Sequence, residues 1–307
     1  MNGCVLVTGV KGQLGYDVMK ALAERKIPAV GVDIDEMDIT DAASVDRVID
    51  GLCGADGDTG SLEPQEKLAA VIHCAAWTAV DAAEDAVEKC RLVNVTGTEN
   101  IAKACARNGL KMMYISTDYV FDGEGERPWE PDDPVTEPLN AYGKSKYDGE
   151  VAVREALDDY FIVRISWVFG KNGKNFIKTM VNLAKTRDQL TVVNDQFGSP
   201  TYTADLAELL AEMIQTEEYG IYHATNEGIC TWYELAVEAI RDAGLFDQKP
   251  ELQVSPVTSD AYPAKAKRPH NSRMDKSKLT AHGFDLLPPW QDAVARYVAE
   301  LMKEMDA

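Results

Sequence analysis

The chain has 307 residues, 45% hydrophobic and 27% charged, which is enough apolar side chain for two packed domains and excludes a disordered composition. Lysine and arginine number 31 against 51 aspartate and glutamate, and the resulting charge of −20 excludes the basic face that nucleic acid or an anionic membrane demands. No apolar run reaches the ~18 residues of a membrane span, no secretory pattern opens the chain, and the six cysteines form no C-x-x-C pair, so a soluble cytoplasmic protein with reduced thiols is expected.

In chain order, the apolar run Cys4–Val7 ends in Thr8-Gly9 and predicts a strand. Leu14, Val18, Ala21 and Leu22 recur at helical spacing, and Ala29–Val32 predicts a second strand ending at Asp33. The 53–66 segment clusters Gly and Asp without periodicity and reads as a surface loop. Further apolar runs follow at Ala69–His73, Met112–Ile115, Phe161–Ile165 and Gly220–His223, with helical patterns such as Val87–Ala106 and Asp205–Met213 between most of them. Strands without polar alternation, separated by helices, predict an α/β fold with a doubly wound parallel sheet covered on both faces. Residues 249–289 hold six of the thirteen prolines and little periodicity, which points to a less regular second domain closed by a helix over Gln291–Met305.

Two constellations carry chemistry. Gly9, Gly12 and Gly15 form G-x-x-G-x-x-G between a strand and a helix, with Gln13 and Leu14 between the last two. A tight turn, close approach of a pyrophosphate and close helix packing each demand glycine there, and the helix start offers unpaired N–H groups. Asp33 stands about 20 residues on, where a carboxylate accepts from ribose hydroxyls. It would repel a 2′-phosphate and no arginine follows it directly, which leans the choice toward NADH over NADPH. Asp38-Ile39 and Ala75-Ala76 are candidate adenine and ribose neighbours, the two alanines being equally readable as core.

Tyr142 and Lys146, at i and i+4, share one face of a predicted helix running through Val153. A phenol is a poor acid–base group near neutrality unless a cation stabilises the phenolate, and Lys146 supplies one. Thr117, just past the strand Met112–Ile115, stands at the carboxyl edge where α/β sheets place ligands and can donate to a substrate oxygen.

These motifs, in order, resemble the extended short-chain dehydrogenase/reductase superfamily, and within it the dTDP-4-dehydrorhamnose reductase family. The resemblance spans nearly the whole chain: T-G-x-x-G-Q-L-G at Thr8–Gly15, A-A-W-T-A-V-D-x-A-E at Ala75–Glu84, S-T-D-Y-V-F-D-G at Ser116–Gly123 and Y-G-x-x-K at Tyr142–Lys146. It continues through R-x-S-W-V-F at Arg164–Phe169, D-Q-x-G-S-P-T at Asp195–Thr201 and R-P-x-N-S-R-x-D at Arg268–Asp275. It implies a Rossmann domain over 1–170 with a return segment near 200–228. The smaller sugar-nucleotide domain would cover about 171–199 and 229–307. It further implies NADH- or NADPH-driven reduction of the C4 ketone of dTDP-4-dehydro-β-L-rhamnose. Tyr142 would then be the proton donor, Lys146 would depress its pKa, and Thr117 would bond the carbonyl oxygen. Thr117, Asp118 and Trp167 match sugar positions; Gly12, Gln13, Leu14, Asp33, Asp38, Ile39, Ala75, Ala76, Trp77, Tyr142 and Lys146 match cofactor positions. Some relatives form a homodimer bridged by Mg²⁺, but no ligand cluster stands out here and no metal is assigned.

Six cations against one acid between Lys265 and Lys278 invert the local charge, which suits a diphosphate, with Arg268 the best-placed fork, or balances acidic neighbours. Trp167 and Trp77 offer apolar faces to a deoxy sugar or to the core. Asp118 is followed by Tyr119 rather than a second carboxylate, which argues against a dehydratase. Another sugar-nucleotide reductase, a 4-epimerase, or a non-catalytic regulatory subunit like the methionine adenosyltransferase beta subunit remain as alternatives.

Overall fold

Strand β1 (Cys4–Thr8) is buried at every position, and the helix after it, α1 (Gln13–Glu24), turns Leu14, Val18, Ala21 and Leu22 inward. In this computed structural model, which describes residues 3–54 and 66–305, the chain continues through β2 (Ala29–Val32), α2 (Ala42–Leu52) and β3 (Leu68–His73). Residues 55–65 of the expected surface loop lie outside the described residues. Then come α3 (Thr98–Asn108), β4 (Lys111–Thr117), α4 (Ala141–Ala156), β5 (Tyr160–Ile165), α5 (Phe176–Thr186), α6 (Thr203–Met213) and β6 (Gly220–His223). Two helices, α7 (Trp232–Asp242) and α8 (Trp290–Met305), complete the set that matters here.

The six strands form one parallel sheet in the order β6-β5-β4-β3-β1-β2. Val5 and Val7 point to one face and Leu6 to the other, because successive strand residues alternate. The first face packs on α1 and α6, through Val18, Leu22, Leu206 and Leu210; the second packs on α2 and α3, through Val45, Ile49, Ile101 and Cys105. This is why the strands read as unbroken apolar runs: neither face meets water. Each fully buried Val or Leu contributes roughly 1.5–3 kcal/mol. Because β1 lies between β2 and β3, the chain departs from it in opposite directions, and a crevice opens beyond the carboxyl ends of these strands.

A separate apolar cluster joins α5, α7 and α8 through Ile177, Val181, Leu235, Ile240, Val294 and Leu301. The proline-rich stretch contributes a short strand, Gln253–Val257, paired in parallel with Gln189–Val193. All six cysteines are unpaired, and Cys4, Cys90, Cys105 and Cys230 are buried.

The pattern at Val87–Ala106 folds as one uninterrupted helical run, Val87 to Asn108, with a π-helical turn inside it. A short helix at Val87–Arg91 widens into a π-helix at Leu92–Gly97 before α3 begins. The widened turn faces Asn94 inward, where its amide accepts from Trp77 N at 2.8 Å, donates to Trp77 O at 3.0 Å and donates to Ser145 Oγ at 2.9 Å. Strand β4 also runs further than its apolar residues indicate, since Ser116 and Thr117 still pair with Arg164 and Ile165.

Candidate active site

A cleft of about 720 Å³ lies over the carboxyl ends of β1 to β5. Its floor is the glycine turn. A Cβ on Gly15 would stand 2.3 Å from the Gly9 carbonyl oxygen, so only glycine lets α1 start this close to the strand end. Gly12 caps α1 without a side-chain bond, and no acid sits in the first turn, so the amides there are free for an anion. Gln13 and Leu14 line the same wall. Asp33 is held rigidly: Oδ2 accepts from Lys11 N and Oδ1 from Ile34 N, both at 2.9 Å. Asp38 and Ile39 line the cleft beside it; Oδ1 of Asp38 accepts from the Thr40 amide at 2.9 Å and from its hydroxyl at 2.7 Å. Ala75 and Ala76 form the wall after β3.

On the far side stands the Tyr142–Lys146 face of α4. Asn140 starts this helix by accepting from Gly143 N at 2.8 Å. Gly143 is required by close approach, since a Cβ there would meet the Tyr119 carbonyl oxygen at 2.1 Å. Tyr142 and Lys146 are buried side chains that both line the cleft. Burial pushes the Tyr142 phenol above its ordinary value, against the opposing pull of the Thr117 hydroxyl. In this cleft burial is the largest influence on the phenol. Burial also lowers Lys146, to about 7, against the attraction of Glu150. Its Nζ lies over the Tyr114 ring, 4.0 Å from the centroid.

Thr117 and Asp118 end β4 inside the cleft, with Thr117 Oγ1 donating to Asp118 Oδ1 at 3.0 Å. Asp118 is pushed up to about 6 by burial; its Oδ2 makes no hydrogen bond among the described residues, and the Ser272 hydroxyl near it has none either. Behind Thr117 is a buried network that the sequence did not reveal. Glu150, one turn after Lys146, accepts from Ser116 Oγ at 2.6 Å and takes a two-pronged pair with Arg164 at 2.8 Å each. Trp167 lines the cleft in a left-handed conformation, φ 50°, and stacks on Trp232 with centroids 3.9 Å apart.

Two expected residues stand elsewhere. Trp77 does not line the cleft; it donates from Nε1 to Ala79 O at 3.2 Å. Arg268 stands outside the lining too, with Nη2 paired to Asp81 at 2.7 Å and Nη1 buried without a hydrogen-bond partner among the described residues. Most of the basic stretch is neutralised: Lys265 pairs with Asp85, Lys276 with Glu227 and Lys278 with Asp132. The cationic inversion thus answers acidic residues from other segments more than it frames an anion site. Lys174 and Ser166 also line the cleft. Neither was foreseen, because each sits in an irregular segment with no periodicity to mark its direction. Among the described residues no group of three or more His, Cys, Asp or Glu could hold a metal ion.

A family model described as RmlD substrate binding domain matches residues 1–303. The chain belongs to that family. This RmlD-family chain is similar to the dTDP-4-dehydrorhamnose reductase of Escherichia coli strain K12, at 38% identity over 97% of each chain. It is equally similar to the spore coat polysaccharide biosynthesis protein SpsK of Bacillus subtilis, 37% identical over 98% of this chain and 99% of that one. Among solved structures, the Bacillus anthracis dTDP-4-dehydrorhamnose reductase in complex with NADP superposes with a TM-score of 0.88 at 37% identity, covering 98% of this chain and all of that one. The RmlD-family chain has its Tyr–Lys helix and its glycine turn lining one cleft.

Proposed function

We propose that the protein is an NAD(P)H-dependent oxidoreductase that reduces the C4 ketone of dTDP-4-dehydro-β-L-rhamnose to dTDP-L-rhamnose. The observation that carries this reading is the position of Thr117, Tyr142 and Lys146 together, across one cleft from a bare glycine turn. The residues present suit a dinucleotide. The Gly12 cap leaves helix amides free, and the Lys146 ammonium has no hydrogen bond among the described residues, so it calls for an acceptor such as a ribose hydroxyl. Gly9, Gly12, Gln13, Leu14 and Gly15 would hold the diphosphate, Asp33 the adenosine ribose, and Asp38, Ile39, Ala75 and Ala76 the walls around it. The rigid Asp33 carboxylate repels a 2′-phosphate, so NADH is the preferred cofactor in this reading.

A bound reduced nicotinamide supplies the hydride. Tyr142 enters protonated, as its raised pKa requires, and gives its proton to the alkoxide that forms at C4 of the sugar. Thr117 donates a hydrogen bond to the same oxygen, having turned from Asp118. Lys146 stabilises the phenolate left on Tyr142 until a proton returns. The free Oδ2 of Asp118 and the Trp167 face are read as contacts to the sugar's hydroxyls and its apolar edge. The cluster uniting α5, α7 and α8 is read as the sugar-nucleotide half, about 171–199 and 229–307, with 1–170 and about 200–228 as the dinucleotide half. No helix among the described residues is long and apolar enough to cross a membrane; a cytoplasmic homodimer is part of the reading. The test is loss of the reduced-nicotinamide absorbance when dTDP-4-dehydrorhamnose is added, with NADH and NADPH in parallel. Oxidation, faster with NADH, is expected; cofactor binding without oxidation would turn the reading toward a binding role.

A further inference from the structure

Residues 170–175, Gly-Lys-Asn-Gly-Lys-Asn, lead into α5 and lie as a strap across the glycine turn. Asn172 donates from Nδ2 to the Lys11 carbonyl at 2.8 Å. Asn175 donates from Nδ2 to Gln13 Oε1 at 3.2 Å and to the Tyr297 hydroxyl at 2.8 Å. Lys171 pairs with Glu304 at 2.9 Å. The strap is thereby fastened to the floor of the cleft on one side and to α8 on the other. Between these anchors Lys174 is exposed, lines the cleft, and makes no hydrogen bond or ion pair among the described residues.

Two other cations line the cleft, and neither is an exposed, unpaired ammonium. Lys11 is turned out to Asp35, and Lys146 is buried beside Tyr142. In a chain of charge −20, an unpaired ammonium fastened next to free helix amides is a local exception to the general repulsion of anions. A lysine can serve a phosphate as a compact point charge, and its reach from an anchored strap costs less ordering than from a free loop.

We infer that Lys174 is an anion-binding residue that takes the diphosphate of a dinucleotide seated on the glycine turn, so that the strap ties cofactor occupancy to α5 and α8. This rests on the cofactor reading above. The contact is charge-assisted and partly open to solvent, so its strength falls with salt.

Calorimetric titration of the full chain with NADH, NADPH and dTDP tests it. Lys174→Met is expected to raise the Kd for NADH and NADPH alike, about tenfold at low ionic strength, and to flatten their salt dependence, while dTDP affinity stays unchanged. Asn172→Ala, which loosens the strap and keeps the charge, should act in the same direction more weakly. Unchanged NADH affinity and salt slope in Lys174→Met overturns the inference. So does a loss confined to dTDP, which moves the lysine to the sugar nucleotide, or a loss confined to NADPH, which moves it to the 2′-phosphate. A wild type that binds neither dinucleotide overturns the cofactor reading itself, and this inference with it.

Discussion

At the scale of single residues the cleft depends on two buried groups, both displaced from their ordinary titration by loss of water. Tyr142→Phe removes the proton and little volume, so it is expected to keep cofactor affinity and lose ~10²–10⁴ in turnover. Wild-type rates would remove Tyr142 from the chemistry. Lys146, lowered to about 7, is surrounded by Glu150 on its own helix, His73 and Cys74 at the end of β3, Cys90 on the short helix, and the Tyr114 ring from β4. Glu150 is the strongest of the attractions that oppose burial there. If the reaction needs the ammonium, kcat/KM falls about tenfold per unit as pH rises above about 7, because the free enzyme loses the charge there. A profile flat through pH 9 counts against that role. These two residues were legible because an i, i+4 pair declares its own geometry. Arg268 was misplaced because a run of cations does not show which carboxylates of other segments will meet it.

At the scale of elements, the strand–turn–helix opening and the sheet strands were readable from apolar runs and glycine spacing. The π-turn at Leu92–Gly97 was not, since apolar periodicity survives a single widened turn and the demand for it comes from Trp77 and Ser145, far along the chain. The Ser116–Glu150–Arg164 network was hidden for the same reason: three elements supply one residue each. Glu150 is fully buried and Arg164 is 2% exposed, so removing one partner leaves the other charge in an apolar interior. Glu150→Ala should cost about 3–5 kcal/mol of stability, read as a lowered urea midpoint at constant m-value. A change below about 1 kcal/mol would mean that water reaches Arg164 and the pair is not structural.

At the scale of the whole molecule, acid should loosen the fold from a defined direction. Burial lowers His73 and His223 to about 3, so unfolding takes up two protons as pH falls from about 6.5 toward 3. Asp118, raised to about 6, opposes one of these, because the folded chain holds that proton more tightly than the unfolded one. The net from these groups is a loss of about 1.4 kcal/mol per pH unit near pH 5. Urea midpoints at pH 7, 6 and 5 should decline in step; a level series would show that both histidines find charge-stabilising partners. The buried thiols have a different use. Cys4, Cys105 and Cys230 are held above their ordinary pKa by burial, and Cys90 with them, so an alkylating reagent finds no thiolate while the native packing lasts. Cys90, Cys105 and Cys230 sit in separate apolar clusters, and the rate at which each becomes labelled is a clock for the opening of its own neighbourhood.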